Sequence, residues 1–134
     1  MNASEVMTEN PRTVRMDDTI LDAIEVLQSM EVRHAPVVDE QGDLVGMLSD
    51  RDLRPLAVEL LGGGEVSETA VLRGARPISS IMSGGVISVE PDTELEEVID
   101  LMLEHRIGAI PVVDGEGAVV GIVSYVDILR QWPR

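Results

Sequence analysis

The sequence predicts an α+β fold built from two β-α-β-β-α units related by pseudo-two-fold symmetry. Three observations carry that expectation. First, the chain repeats itself: residues 6–54 align without a gap to residues 81–129, at an offset of 75. The identical pairs include Met7/Met82, Asp17/Asp92, Pro36/Pro111, Gly46/Gly121, Ser49/Ser124 and Asp52/Asp127. Second, each copy holds a stretch with the one-sided 3–4 apolar spacing of a helix. Third, each copy then carries two short β-branched runs separated by a glycine-containing turn. Two copies at this period argue against a long solenoid, whose repeats are shorter and more numerous. They point instead to two small units with ligand clefts between them.

The elements follow in order. Residues 1–12 form a leader whose Glu5–Met7 piece is extended or helical. Thr13–Arg15 reads as a short strand. Asp18 or Thr19 then caps a helix that runs to about Glu31, with Ile20, Ala23, Ile24, Leu27 and Met30 on one face. Thr19 and Asp22 have the form of a capping box, and Thr93 with Glu96 is expected to do the same in the second copy, slipped by one residue. Ala35–Asp39 and Ile110–Asp114 are strands. The turns Glu40–Asp43 and Gly115–Ala118 lead to the returning strands Leu44–Ser49 and Val119–Ser124. Second helices start near Asp50 and Tyr125. Pro55 is tolerable if it sits in the first turn of its helix. The three glycines at 62–64 end that helix, and Glu65–Arg76 reads as an irregular polar linker. The expected division is therefore 1–61 for the first unit, 62–76 for the linker and 77–134 for the second unit.

Composition narrows the function classes. At 134 residues, each half alone is marginal for independent folding, so the halves should share stabilising contacts. With no Phe, one Tyr and one Trp, the core must be aliphatic. The net charge is −15, and all ten basic residues other than histidine are Arg. Such a surface repels DNA, RNA and anionic membranes. No cysteine is present, which excludes disulfides, thiolate metal sites and cysteine nucleophiles. No apolar run resembles a signal peptide or reaches spanning length, so the cytoplasm is the expected location. His34 and His105 lack a partner histidine at i+4, and no metal site is expected. The glycines at 62–64 lack the strand and Lys context of a phosphate-binding loop, and no nucleophile is placed beside a base.

The strongest local feature is Ser-x-x-Asp at the end of a strand, in Ser49–Asp52 and again in Ser124–Asp127. It has two compatible readings. As a helix cap, the serine accepts from a backbone N–H and the Asp suits the helix dipole. As a binding element, a helix N-terminus with a hydroxyl suits a phosphate. A nearby Asp suits the two hydroxyls of a ribose.

These residues carry a family resemblance. The openings Met7-Thr8 and Met82-Ser83, the helices after Thr19 and Thr93, and the segments APVVDEQGDLVGMLSDRDL and IPVVDGEGAVVGIVSYVDI resemble the CBS domain (cystathionine β-synthase type) over about residues 5–130. The whole resembles a stand-alone pair of tandem CBS domains, or Bateman module. The resemblance implies two halves packed through their sheets, with clefts for AMP, ADP, ATP or, alternatively, S-adenosylmethionine, and dimerisation into a disc. It matches a ribose-binding Asp to Asp52 and Asp127, and a phosphate-side hydroxyl to Ser49 and Ser124. It matches the base pocket to Thr13, Val14, Ala35 and Pro36 in one half, and to Ser88, Val89, Ile110 and Pro111 in the other. The glycine three residues before the proline is Gly108, whereas the first half has Arg33.

The two sites are not expected to be equal. Arg33, His34, Arg51 and Arg54 belong to elements of the first half and form either a phosphate cradle or solvated residues paired to acidic neighbours. The second half has Tyr125 and Val126 where the first has Asp50 and Arg51, which suits an uncharged nucleoside portion better than a polyphosphate. The acidic run Glu94, Glu96, Glu97 and Asp100 reads as a solvated face. The expectation is a non-catalytic regulatory module, most simply a homodimer. It requires no cofactor, binds adenosine nucleotides and signals energy or metabolite state to a separate protein partner. Two alternatives stand beside it. One is a structural dimerisation scaffold without a ligand, and the other is a nucleotide-hydrolysing enzyme, disfavoured by the absence of a base or metal constellation.

Overall fold

The computed structural model describes residues 1–29, 33–82 and 84–131. In chain order the elements are α1 (Ala3–Val6), β1 (Thr8–Glu9), β2 (Val14–Arg15), α2 (Ile20–Ser29), β3 (His34–Val38), β4 (Leu44–Ser49), α3 (Asp50–Leu61), α4 (Glu68–Gly74), α5 (Leu95–His105), β5 (Ala109–Val113), β6 (Val119–Ser124) and α6 (Tyr125–Leu129). A 3-10 turn covers Ile78–Ser80. Both returning strands have the expected bounds. The expected end of α2 near Glu31 lies outside the described residues.

Packing groups these elements into two units. The first-repeat unit contains Thr13–Glu40 and Val45–Gly85. The second-repeat unit contains Met1–Arg12, Gln41–Leu44 and Val86–Arg134. Packed units and sequence copies thus differ in their leading segments. Residues 1–12 lie at the start of the first copy but pack with the second, and residues 77–82 lie at the start of the second copy but pack with the first.

In the first-repeat unit the sheet order is β2-β3-β4. β2 runs parallel to β3, with Val14 opposite Val37. A parallel pair needs a crossover, and α2 supplies it. The face predicted from spacing is the one buried: Ile20, Ala23, Ile24 and Leu27 join Val14, Val37, Leu48, Leu53, Leu56 and Ile78 in one aliphatic core. At the start of α2 the capping box forms as expected. Thr19 Oγ1 accepts from the Asp22 N–H at 3.1 Å, and Asp22 Oδ2 accepts from the Thr19 N–H at 3.3 Å.

The second-repeat unit orders its strands β1-β6-β5. β1 is antiparallel to β6, with Thr8 opposite Ile122. β5 and β6 form a hairpin pairing Ile110 with Val123, and a register shift falls between Val112 and Val113. The counterpart of β2 is reduced to one parallel bridge, Val89 to Val112. The core combines Val89, Val98, Met102, Ile110, Val112 and Val123 with Ala3 and Val6 of the leader.

Three local expectations are corrected. Thr93 does not cap α5. Its hydroxyl accepts from the Glu90 N–H at 3.0 Å, closing a turn one residue earlier. Glu94 is the N-cap without a side-chain bond, and the Leu95 N–H goes instead to the Met1 carbonyl at 2.9 Å. The segment Glu65–Arg76 is not irregular throughout, because α4 forms within it. Ser67 caps that helix, its hydroxyl accepting from the Ala70 N–H at 3.0 Å and donating to Glu59 at 2.7 Å. Burial of Ala70 in the core, rather than propensity, holds so short a helix. Pro55 lies beyond the first turn of α3, which begins at Asp50. Its ring cannot donate to the Arg51 carbonyl, and both residues are exposed.

The repeated Met–Gly pairs explain the exchange of leading segments. Met82 lies over Gly46 and Met7 over Gly121. A Cβ at Gly46 would stand 2.6 Å from the Met82 Sδ and 3.1 Å from its Cγ. Only a glycine on the returning strand lets the methionine lie that close. Gly46→Ala should therefore cost about 1–3 kcal/mol through overpacking, read as a lower urea midpoint. Gly64→Ala, whose Cβ would meet nothing within 4 Å, should stay within about 0.5 kcal/mol of wild type. Equal midpoints for the two variants would contradict this packing account.

Candidate functional site

The candidate site is a strand-to-helix junction that occurs once in each unit. In the first-repeat unit, β4 ends at Ser49 and α3 starts at Asp50. The Ser49 Oγ accepts from the Asp52 N–H at 3.3 Å. The Asp50 N–H donates to the Arg33 carbonyl at 2.7 Å. That bond pins the first turn of α3 beside the start of β3, so Arg33, His34, Ser49 and Asp52 belong to one locality. Arg33 occupies the position where the second copy has glycine, yet its carbonyl does the same work as that of Gly108, which accepts from the Tyr125 N–H at 3.1 Å.

The sequence-predicted residues sort cleanly between the two units. Thr13, Val14, Arg33, His34, Ala35, Pro36, Ser49, Arg51 and Asp52 all fall in the first-repeat unit. Ser88, Val89, Gly108, Ile110, Pro111, Ser124 and Asp127 all fall in the second-repeat unit. Val14, Ala35, Pro36, Val89, Ile110 and Pro111 are buried, so a ligand would meet the backbone of these residues rather than their side chains.

The two aspartates differ sharply. Asp52 is exposed, and among the described residues its carboxylate accepts no hydrogen bond. Asp127 is only 7% exposed. Its Oδ2 accepts from the Ser124 N–H at 2.9 Å and from the Ser124 hydroxyl at 3.0 Å. Its Oδ1 accepts from the Thr8 hydroxyl at 3.3 Å. Sequence reasoning missed Thr8 as a partner of Asp127. The signal was present, because the repeat places a hydroxyl at both positions, Thr8 and Ser83. Ser83 lies outside the described residues.

The four basic groups of the first junction are not equivalent either. Arg54 is paired to Asp50 at 2.8 Å, as the solvated-helix reading anticipates. Arg51 is exposed and has no ion-pair partner among the described residues. Arg33 is exposed, and its charge acts on His34. Burial lowers the His34 pKa from its ordinary 6.5, the Arg33 charge lowers it further, and Asp52 and Asp50 pull it back up. Among the described residues no group of three or more His, Asp or Glu side chains is arranged to hold a metal ion, and no helix is long and apolar enough to cross a membrane.

The His34 shift predicts a pH dependence. A group whose folded pKa lies below its unfolded value contributes stability that is present above the unfolded pKa and lost as pH falls through the folded one. Wild type should thus lose midpoint stability between about pH 7.5 and 5.5, and His34→Gln should lose less over that window. Parallel profiles for the two proteins would contradict the burial of His34.

Comparison with known proteins agrees with this geometry. The family model of the CBS domain matches residues 3–59 and again 78–133. The chain is 35% identical to the CBS domain-containing protein YhcV of Bacillus subtilis, covering 95% of this chain and 82% of that protein. It is 31% identical to inosine-5′-monophosphate dehydrogenase of Methanocaldococcus jannaschii, over 98% of this chain but 24% of the enzyme. The chain thus spans about a quarter of the length of that relative. Among solved structures, CBSX2 in complex with AMP superimposes with a TM-score of 0.78 at 28% identity, covering 96% of this chain and 93% of that one. The CBS domain pair of protein MJ0100, in complex with 5′-methylthioadenosine and S-adenosyl-L-methionine, superimposes with a TM-score of 0.78 at 28% identity, covering 97% of this chain and 94% of that one. Two gapless copies, two Ser-capped junctions and these matches together place the chain in the CBS domain family, as a tandem pair.

Proposed function

We propose that this CBS pair is a non-catalytic regulatory module that binds an adenine nucleotide (AMP, ADP or ATP) at the junction of β4 and α3. The observation that carries the reading is the exposed carboxylate of Asp52, which accepts no hydrogen bond among the described residues and lies one turn from the capping hydroxyl of Ser49, at the start of a 12-residue helix. A carboxylate with open acceptor sites suits the vicinal hydroxyls of a ribose. The helix N-terminus and Arg51, which has no ion-pair partner among the described residues, suit a phosphate, with Arg33 close by. The backbone around Thr13, Val14, Ala35 and Pro36 offers donors and acceptors to a purine. Related CBS pairs crystallised with AMP, or with 5′-methylthioadenosine and S-adenosylmethionine, support adenosine compounds as the ligand class.

Regulation would follow from differential affinity. A nucleotide that binds one conformation of the chain more tightly shifts the population toward it, and a separate protein partner reads the shift. The reading includes a cytoplasmic homodimer.

The test is a thermal-shift series with AMP, ADP, ATP and S-adenosylmethionine on wild type and Asp52→Ala. A ligand at about 100 times its dissociation constant adds roughly 2.7 kcal/mol, a shift of several degrees. At least one adenosine compound should raise the wild-type midpoint, and Asp52→Ala should lose the gain. Light scattering on the same samples should give twice the 14.5 kDa of one chain. No shift with any compound would contradict nucleotide binding and leave a ligand-free scaffold, and release of phosphate from ATP would contradict a non-catalytic role.

A further inference from the structure

The two Ser-x-x-Asp junctions look alike in sequence but not in hydrogen bonding. An ionised carboxylate offers about four acceptor positions. Asp127 has three contacts in use: the Ser124 N–H, the Ser124 hydroxyl and the Thr8 hydroxyl. A ribose diol brings two further donors, so docking there would have to break bonds that already satisfy a buried charge. Breaking such bonds is costly, because hydrogen bonds to charged groups are the stronger ones. Among the described residues, Asp52 carries no such load.

Two further observations separate the junctions. α6 has five residues against twelve in α3, so fewer peptide dipoles align behind its N-terminus. The second junction also has Gly108 and Ala109 in place of Arg33 and His34, and Val126 in place of Arg51. Thr8 explains what Asp127 does instead. It sits on β1, which pairs with β6, the strand that ends in Ser124.

We infer that Ser124 and Asp127 form a structural clasp on the leading strand through Thr8 and take no ribose, so that the chain binds one nucleotide, at Ser49 and Asp52. The inference rests on the nucleotide-binding reading for its stoichiometry, and on the hydrogen bonds alone for the clasp. It separates two aspartates that the repeat makes equivalent.

The experiment has two arms on the full chain. Calorimetric titration with AMP and, separately, with ATP should give one equivalent per chain for wild type. Asp52→Asn should weaken binding about tenfold or more, whereas Asp127→Asn should keep both the stoichiometry and the affinity within about twofold. Two equivalents in wild type, or the loss of one in Asp127→Asn, would overturn the inference while leaving nucleotide binding intact. Amide hydrogen exchange over residues 3–9 is the second arm. Thr8→Val and Asp127→Asn should each speed it, and the double variant should exchange no faster than the faster single one. Unchanged exchange in both single variants would overturn the clasp. If neither nucleotide binds wild type, the functional reading and the stoichiometry fall together, and the exchange arm still decides the clasp.

Discussion

The bond on which the site depends is the one between the first N–H of a helix and the carbonyl just ahead of the hairpin. In one unit it runs from Asp50 to Arg33 at 2.7 Å, and in the other from Tyr125 to Gly108 at 3.1 Å. A helix N-terminus leaves four N–H groups without intrahelical partners. Here the first is taken by this carbonyl and the third by the capping serine. The helix dipole favours negative charge at such an end, which is the physical basis of the phosphate reading proposed for the first junction. Because the bond ties residue 33 to residue 50, it also brings the basic pair Arg33 and His34 to Asp50 and Asp52. Burial and then the Arg33 charge depress the His34 pKa, and the nearby carboxylates of Asp52 and Asp50 partly offset that shift.

The aliphatic cores hold the junctions in place. Without a large aromatic to fill space, each core relies on Val, Ile, Leu and Met at close-packed spacing. The glycine of each returning strand removes a Cβ so that a methionine can lie flat over the sheet. Each methionine comes from the start of the other copy. Residues 1–12 and 77–82 are therefore part of the packing, and β1 adds backbone pairing to β6 in the second-repeat unit.

Much of this was readable from the residues. The offset of 75 fixed the number of units, and the 3–4 spacing from Ile20 to Leu27 named the buried face of α2. The two Ser-x-x-Asp motifs located both junctions. What could not be read was governed by partners distant in sequence. α4 escaped notice because burial of Ala70 and Gly74 stabilises it, and a seven-residue helix has no periodicity to show. Thr93 looked like a cap because its spacing to Glu96 is right, but a turn to Glu90 competes for the hydroxyl, and the Met1 carbonyl serves the helix instead. The exchanged leading segments were likewise invisible, since contacts between residues as distant as Thr8 and Ile122, or Met82 and Gly46, leave no local trace. The same holds for the hydrogen bond from Thr8 to Asp127, which turns a repeated motif into two different devices.

The central claim is that an open acceptor at Asp52, and a filled one at Asp127, make the first junction the nucleotide site. Backbone amide NMR with AMP added to the 15N-labelled chain tests it most directly. The account predicts that the amides of Asp50, Arg51 and Asp52 shift progressively with AMP, while those of Tyr125, Val126 and Asp127 stay in place. Shifts confined to Tyr125–Asp127, or equal at both junctions, would contradict it.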